Sequence, residues 1–201
     1  MEHQRGFPTN IFIGDDFINS LEGPEYTDGL IQGMKKYIEK LWAKRDKNKP
    51  NFQTHPFLYN EKEFVPLADL ILKNNLKNMK TLKYNVELEN LFMSGMWANV
   101  IAPGEMHRAH THSNNLWSGV YYLHSDQNAG ITFQDPRPAA DVLVPRKLEH
   151  TTENSNLLLY ASKMNRAIMF PSWLMHWVNT NTSKSNRISI SWNIHIKGQM
   201  G

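Results

Sequence analysis

Apolar residues recur every three or four positions in two stretches of the first half of the chain. Between 30 and 44 this spacing predicts a helix with one apolar face, formed by Leu30, Ile31, Met34, Tyr37, Ile38, Leu41 and Trp42. Thr27 or Asp28 is expected to cap its start, and Pro50 to end it. A second helix is predicted to begin near Pro66, a residue that suits the first turn. Both helices are expected to cover a sheet.

The pattern changes after Tyr84, where short runs rich in β-branched and aromatic residues alternate with turn residues. They predict strands at 84–93, 95–102, 107–112, 117–124, 129–134, 155–161, 166–171, 174–180 and 187–196, besides an edge strand at 10–13. Successive short strands without intervening helices are typical of an antiparallel sandwich or jelly roll. We therefore expect a single domain over 1–201, with helical support in 1–83 and a jelly-roll core in 84–196. The helices would pack on the outer face of one sheet.

The last predicted strand has one polar and one apolar face. Arg187, Ser189, Ser191 and Asn193 alternate with three isoleucines and a tryptophan. The apolar face suits the covering helices, so the polar face is expected to line a ligand-filled or wet space. An interior arginine requires an anion, and its planar fork matches a carboxylate. The alternative is an ordinary strand whose polar residues face solvent.

Three of the nine histidines, His107, His110 and His112, fall within six residues. Side chains two apart on an extended backbone project to the same side, so His110 and His112 are expected to point together. Neutral imidazole is a good ligand for Fe, Zn, Cu or Ni, and His176, on a short apolar run, is the natural third ligand. The alternative is a polar loop with incidental histidines.

Composition excludes several kinds of site and several classes of protein. Cysteine is absent, which excludes disulfides, thiolate metal sites and cysteine nucleophiles. The net charge of +3 is too small to indicate nucleic-acid binding. No apolar run approaches the ~18 residues of a membrane span, and the first residues have no hydrophobic signal core, so we expect a cytoplasmic protein. The segment 136–154, with three prolines and little periodicity, is expected to be a functional lid or a mobile insertion.

The order of five motifs resembles a known family. His110-Thr-His112, S-G-V-Y-Y-L, G-I-T-F-Q-D-P, the F-P-S-W-L-M-H that ends at His176 and the R-I-S-I-S-W-N that begins at Arg187 are similar to 2-oxoglutarate/Fe(II) oxygenases of the prolyl-hydroxylase-like superfamily. The nearest group is found in marine bacteria and their viruses, so a virus-encoded protein acting in an infected cell is one expectation. The resemblance covers 95–196 and is weak over the helical part. It implies a double-stranded β-helix, a jelly roll with the metal at its open end.

The resemblance also implies a set of site residues. His110, His112 and His176 would hold Fe(II), although the superfamily has a carboxylate where this chain has His112. Three neutral imidazoles leave both positive charges of the metal uncompensated, whereas a carboxylate would leave one. Dioxygen would take a remaining metal position. His107 is expected to stand behind the metal ligands or to face the substrate.

The cosubstrate contacts follow from the same resemblance. Arg187 would pair with the distal carboxylate of 2-oxoglutarate, helped by Tyr122 or Ser189. Trp117 and Asn193 are expected to stand behind the metal ligands or to face the substrate.

Two other classes of function stay open at this point. One is a cupin-type dioxygenase with a three-histidine metal, which needs no 2-oxoglutarate. The other is a non-enzymatic β-sandwich binding module with a degenerate or zinc-filled site. The substrate, a small molecule or a peptide, is not specified by these residues, and neither is assembly into a homo-oligomer.

Overall fold

The computed structural model describes residues 2, 6–21, 23–127, 129–137, 139 and 142–198. Its helices are α1 (Pro24–Ala43) and α2 (Val65–Thr81). Its strands are β1 (Phe12–Gly14), β2 (Phe52–Gln53), β3 (Leu91–Ile101), β4 (His107–His110), β5 (Trp117–His124), β6 (Ile131–Gln134), β7 (Leu157–Tyr160), β8 (Ala167–Pro171), β9 (His176–Val178) and β10 (Arg187–Ile196). Short 3-10 turns lie at Phe17–Ser20, Leu58–Asn60 and Leu88–Asn90.

The strands form two antiparallel sheets. The larger has the order β1-β8-β5-β10-β3-β2, and the smaller has the order β4-β9-β6-β7. A compact apolar cluster joins them, in which Phe133 of the smaller sheet packs edge-on against Phe170 of the larger with 4.8 Å between ring centroids. This is the predicted jelly-roll arrangement, and β1 lies at a sheet edge as expected.

The helices cover the other face of the larger sheet, as predicted. Met34 and Ile38 of α1 and Ile71 of α2 are fully buried in a cluster that also contains Ile190 and Trp192 of β10. The polar face of β10 therefore points between the two sheets. Among the described helices, none is long and apolar enough to cross a lipid bilayer.

The predicted bounds of the first helix are wrong at its start. Helix α1 begins at Pro24, six residues before the predicted position, because Pro24 occupies a first-turn position that needs no amide hydrogen. The N-cap is Gly23, at φ 45°, and neither Thr27 nor Asp28 caps the helix. Thr27 lies within the first turn, where its hydroxyl donates to the Gly23 carbonyl oxygen. The helix ends at Ala43, well before Pro50.

The strands predicted at 84–93 and 95–102 are a single strand, β3, preceded by a 3-10 turn. Strand β10 pairs with β3 from Ile101 to Leu91, and this continuous partner holds the chain extended through Ser94-Gly95. The register shifts there, so that Asn193 faces Gly95 and Ile194 faces Met93. The strand predicted at 107–112 ends at His110.

The segment predicted to be a lid or insertion, 136–154, joins β6 to β7. Its described part, which lacks Pro138, Ala140 and Asp141, contains no helix or strand. Its role stays a prediction.

Gly119 of β5 lies directly against the Trp192 indole of β10. A Cβ atom at this position would press into the Trp192 indole and lie 2.7 Å from the Ile168 main-chain oxygen. We expect Gly119→Ala to lower the free energy of unfolding by roughly 1–3 kcal/mol, because such overpacking cannot relax against backbone. Thermal unfolding should show a Tm lower by about 2–4 °C for each kcal/mol lost.

The matched control is Gly29→Ala, on an exposed turn of α1 where an added Cβ meets no atom within 4 Å. Alanine favours a helix over glycine, so this variant should unfold at the same temperature or slightly above the wild type. Equal Tm values for the two variants would contradict the close approach at Gly119.

Candidate functional site

Three histidine side chains converge at one end of the smaller sheet. His110 ends β4 and pairs directly with His176, the first residue of β9. His112 follows two residues later, beyond the strand end, where its amide donates to the Ser172 main-chain oxygen. One ring nitrogen from each of the three lies within 4.8 Å of the others. This separation suits three ligands around one metal ion.

The second nitrogen of each of these rings faces an oxygen. Nδ1 of His110 lies 2.7 Å from the Arg108 main-chain oxygen, and Nδ1 of His176 lies 2.8 Å from that of Leu174. A carbonyl oxygen only accepts, so both Nδ1 atoms carry the proton. Nδ1 of His112 lies against the Asn193 side-chain oxygen, which also accepts from Ser118. The three Nε2 lone pairs are thereby left for a metal.

Burial favours the neutral form, which ligates metal, for His176 and His112. It lowers the pKa of His176 to about 3, against the opposing hydrogen bond to the Leu174 carbonyl. The ring of Phe170 supports His176 at 4.7 Å between centroids. Burial also lowers the pKa of His112, and the Asn193 hydrogen bond offsets part of that effect.

His107 stands beside the three histidines. Its ring centroid is 4.5 Å from that of His110. The two residues are three positions apart, and an irregularity in the strand register between them brings their side chains to the same side. Burial, and then the neighbouring His110 and Arg187, lower the pKa of His107. A role for His107 behind the metal ligands or facing the substrate stays a prediction.

Arg187 is buried in the same cavity, and none of the described acidic residues forms an ion pair with it. Only 3% of the residue is exposed, and its guanidinium carbon lies 5.0 Å from the centroid of the Tyr122 ring. Among the described residues, Arg187 Nε, Arg187 Nη1 and the Tyr122 hydroxyl are buried without a hydrogen-bond partner. Burial lowers the pKa of Arg187, and Tyr122 opposes this shift. Unpaired polar atoms of a buried cation are costly, so the arrangement favours binding of an anion.

A single cavity connects Arg187 with the histidines. Its floor is the polar face of β10, including the predicted Ser189, and its walls include His107 and Trp97. None of the described residues that line it is Asp or Glu.

The structure places one predicted site residue elsewhere. Trp117 was expected behind the metal ligands or facing the substrate, but it lies in the cluster beneath the helices, edge-on to Phe12 at 6.0 Å. Strand side chains alternate, and Ser118 occupies the inward position of β5. The prediction for Trp117 is therefore wrong. Asn193, by contrast, lies directly against His112.

Sequence reasoning missed several neighbours of the site. Asn99 of β3 lies in register with Ser189 and donates to Ser191, and Trp97 lies against His112 with 5.7 Å between ring centroids. Ser118 and Ser172 form a buried hydrogen bond behind His112. A lone asparagine within the apolar run M-W-A-N-V-I was the available signal for Asn99.

Comparison with known proteins agrees with this geometry. Residues 95–193 match the family model described as "Putative 2OG-Fe(II) oxygenase". No curated protein matches the chain.

Several solved structures share the fold at low identity. HygX from Streptomyces hygroscopicus, solved with nickel, 2-oxoglutarate and hygromycin B, is 11% identical with a TM-score of 0.62, covering 94% of this chain and 84% of HygX. A Pseudomonas putida prolyl-4-hydroxylase is 11% identical with a TM-score of 0.59, covering 94% and 89%. The non-heme α-ketoglutarate-dependent epimerase SnoN from nogalamycin biosynthesis is 9% identical with a TM-score of 0.63, covering 94% and 77%. These similarities confirm the double-stranded β-helix.

The contact between Asn193 and His112 generates a prediction about metal affinity. Asn193→Ala removes the oxygen that orients the His112 ring, and loss of such a partner typically weakens metal binding about 10–100-fold. Calorimetric titration with Co²⁺ measures the change.

Asn99→Ala is the matched control, because Asn99 lines the cavity but donates to Ser191 and does not contact a histidine ligand through a hydrogen bond. It should leave Co²⁺ affinity within about threefold of wild type, since no imidazole loses a partner. Identical affinities for the two variants would show that Asn193 does not orient a ligand.

Proposed function

Because the chain belongs, through residues 95–193, to the 2OG-Fe(II) oxygenase family, we propose that it binds Fe(II) through His110, His112 and His176 and uses 2-oxoglutarate and dioxygen to oxidise a substrate. The observation that carries this proposal is the pairing, in one cavity, of three imidazoles with free Nε2 atoms and a buried arginine with unpartnered nitrogens. Family membership was predicted from the motif order and is confirmed.

The residues fit an iron ion. Neutral imidazole is a suitable ligand for Fe(II), and the hydrogen bonds at Nδ1 fix each ring with its Nε2 atom available. Three protein ligands leave metal positions for other molecules, which is the pattern of a catalytic centre.

The residues also fit the cosubstrate. The unpartnered Arg187 nitrogens suit the distal carboxylate of 2-oxoglutarate, with the Tyr122 hydroxyl as a further donor and Ser189 buried on the same face. When bound, iron and 2-oxoglutarate supply the oxidative chemistry: the keto acid loses carbon dioxide and becomes succinate as dioxygen is consumed.

The chain's own contribution is position and exclusion of water. Asn193 holds His112, the Leu174 carbonyl holds His176, and Phe170 shields His176 from solvent. We propose that the substrate enters past His107 and Trp97, the half-buried side chains on the cavity wall. Its chemistry, a small molecule or a peptide, is not fixed by these contacts.

Arg187 and the three histidines together argue against the two other classes of function. A cupin-type three-histidine dioxygenase would use the same metal ligands but would leave Arg187 buried and unpaired at a cost in stability. A binding module with a degenerate site would give no reason for three oriented Nε2 atoms to converge, and one with a zinc-filled site would leave Arg187 without an anion.

The first test is anaerobic addition of Fe(II) and 2-oxoglutarate to the protein. We expect a weak visible charge-transfer band, because the keto acid chelates iron through both its 1-carboxylate and its 2-oxo oxygen. His176→Ala should abolish the band, since it removes the ligand that β9 supplies. Absence of the band in a metal-loaded wild-type protein would overturn the proposal.

The second test addresses Arg187. Removing one partner of a sheltered, charge-assisted pair costs roughly 2–5 kcal/mol, so Arg187→Ala should weaken 2-oxoglutarate binding about thirtyfold or more while the metal stays bound. Arg187→Lys should recover only part of the affinity, because an ammonium lacks the planar fork. Calorimetric titration of 2-oxoglutarate into the metal-loaded proteins measures both.

Arg45→Ala is the control for the change in net charge. Arg45 follows α1 and stacks on Trp42 in the helical layer, so its loss should leave 2-oxoglutarate affinity unchanged. If Arg187→Ala behaved like Arg45→Ala, Arg187 would be a structural residue.

A further inference from the structure

The whole immediate environment of the metal position is uncharged. The three proposed ligands are neutral imidazoles, and their Nδ1 protons point to two main-chain carbonyl oxygens and the amide of Asn193. A metal site of this kind commonly has a carboxylate either as a ligand or behind a histidine. Among the residues that the structure describes neither position has one, so these residues supply no negative charge to the ion.

The cavity walls do not supply the missing charge. They add the positive charge of Arg187, and no acidic side chain is found among the described lining residues. Asp135, the carboxylate that follows β6, is bound by Arg137 through both oxygens, with Nε to Oδ1 at 3.0 Å and Nη2 to Oδ2 at 2.6 Å. That pair is neutral as a unit and offers no counter-charge to the metal.

Bound 2-oxoglutarate neutralises only part of this positive charge. A divalent metal and Arg187 together carry three positive charges, and the dianionic cosubstrate neutralises two of them. One positive charge then remains in a cavity where His176 and Arg187 are almost fully buried. Uncompensated charge in such a sheltered space is costly, and a nearby anion would be strongly favoured.

We propose that the loaded centre binds a second anionic group beside 2-oxoglutarate. The inference rests on the proposed function, and it assigns the chemistry of that group: a monovalent anion, supplied either by a small inorganic ion or by the acid group of an organic substrate. His107, half-buried beside His110 on the cavity wall, is positioned to donate a hydrogen bond to it.

The test is a titration of the Co²⁺-loaded protein, saturated with 2-oxoglutarate, with azide, chloride and acetate in separate experiments. The visible absorption of cobalt reports changes around the metal and requires no turnover. We expect at least one of these anions to bind. A response to azide or chloride identifies a small ion as sufficient, whereas a response to acetate alone identifies the acid group of a substrate.

Two variants restore the missing negative charge. Asn193→Asp keeps an oxygen against His112 Nδ1 and leaves all three ligands in place, and His112→Asp introduces the carboxylate as a ligand. Both should weaken binding of the responding anion by about tenfold or more, because one unit of charge changes within a few ångströms of the metal. Cobalt content and Tm, measured for each variant, establish that folded, loaded proteins are compared.

Gln134→Glu is the control, because it changes the net charge equally at an exposed position on β6. Solvent screens this charge, so anion affinity should stay within about twofold of wild type. The inference is overturned if none of the three anions alters the wild-type spectrum, or if Asn193→Asp and His112→Asp bind the anion as tightly as wild type.

Failure of the proposed function has a separate signature. If the Fe(II) protein shows no 2-oxoglutarate charge-transfer band, the same anion series is run on the protein loaded with Co²⁺ alone. Loss of anion affinity in the two aspartate variants would then still support the charge argument, and equal affinity would refute it.

Discussion

The structure depends on β10, which lies at the centre of the larger sheet and has one polar and one apolar face. Strand β10 pairs with β3 on one side and β5 on the other, so its side chains can leave the sheet only upward or downward. Trp192 and Ile190 enter the core beneath the helices, while Arg187 and Ser189 line the cavity. A slip of one residue would exchange the two faces, burying Arg187 beneath the helices without an anion. Helix packing and site chemistry therefore fix the same register.

The metal position joins the two sheets. His110 and His176 belong to the smaller sheet, whereas the oxygen that orients His112 comes from Asn193 of the larger one. Ser172, which follows β8 of the larger sheet, adds a second link, since its main-chain oxygen accepts from the His112 amide. Metal binding should therefore stabilise the contact between the sheets, because a ligand that binds only the folded state adds its binding free energy to folding.

The parts that could be predicted are those encoded by local periodicity. The alternation of polar and apolar residues along β10 is local. It revealed both the polar face that carries Arg187 and the apolar face that the helices cover. Strand ends were harder to predict because they depend on distant partners: β3 is unbroken only because β10 pairs along its length. The contact of His112 with Asn193 spans 81 positions, so no local pattern contains it. Trp117 was misplaced although the bounds of its strand were predicted, because alternation along a strand does not say which of its two faces lines the cavity.

Arg187 shows how function opposes stability in this fold. A buried guanidinium with two unpartnered nitrogens destabilises the protein whenever its anion is absent, and an apolar residue of similar size would pack there at lower cost. The same unpaired nitrogens give a carboxylate its binding free energy, because the desolvation of the arginine has already been incurred during folding. The three neutral histidines likewise leave the charge of the metal unbalanced, so that charge must be balanced by molecules that enter from solvent. Affinity for anions is thus built from charges that the folded chain leaves unbalanced.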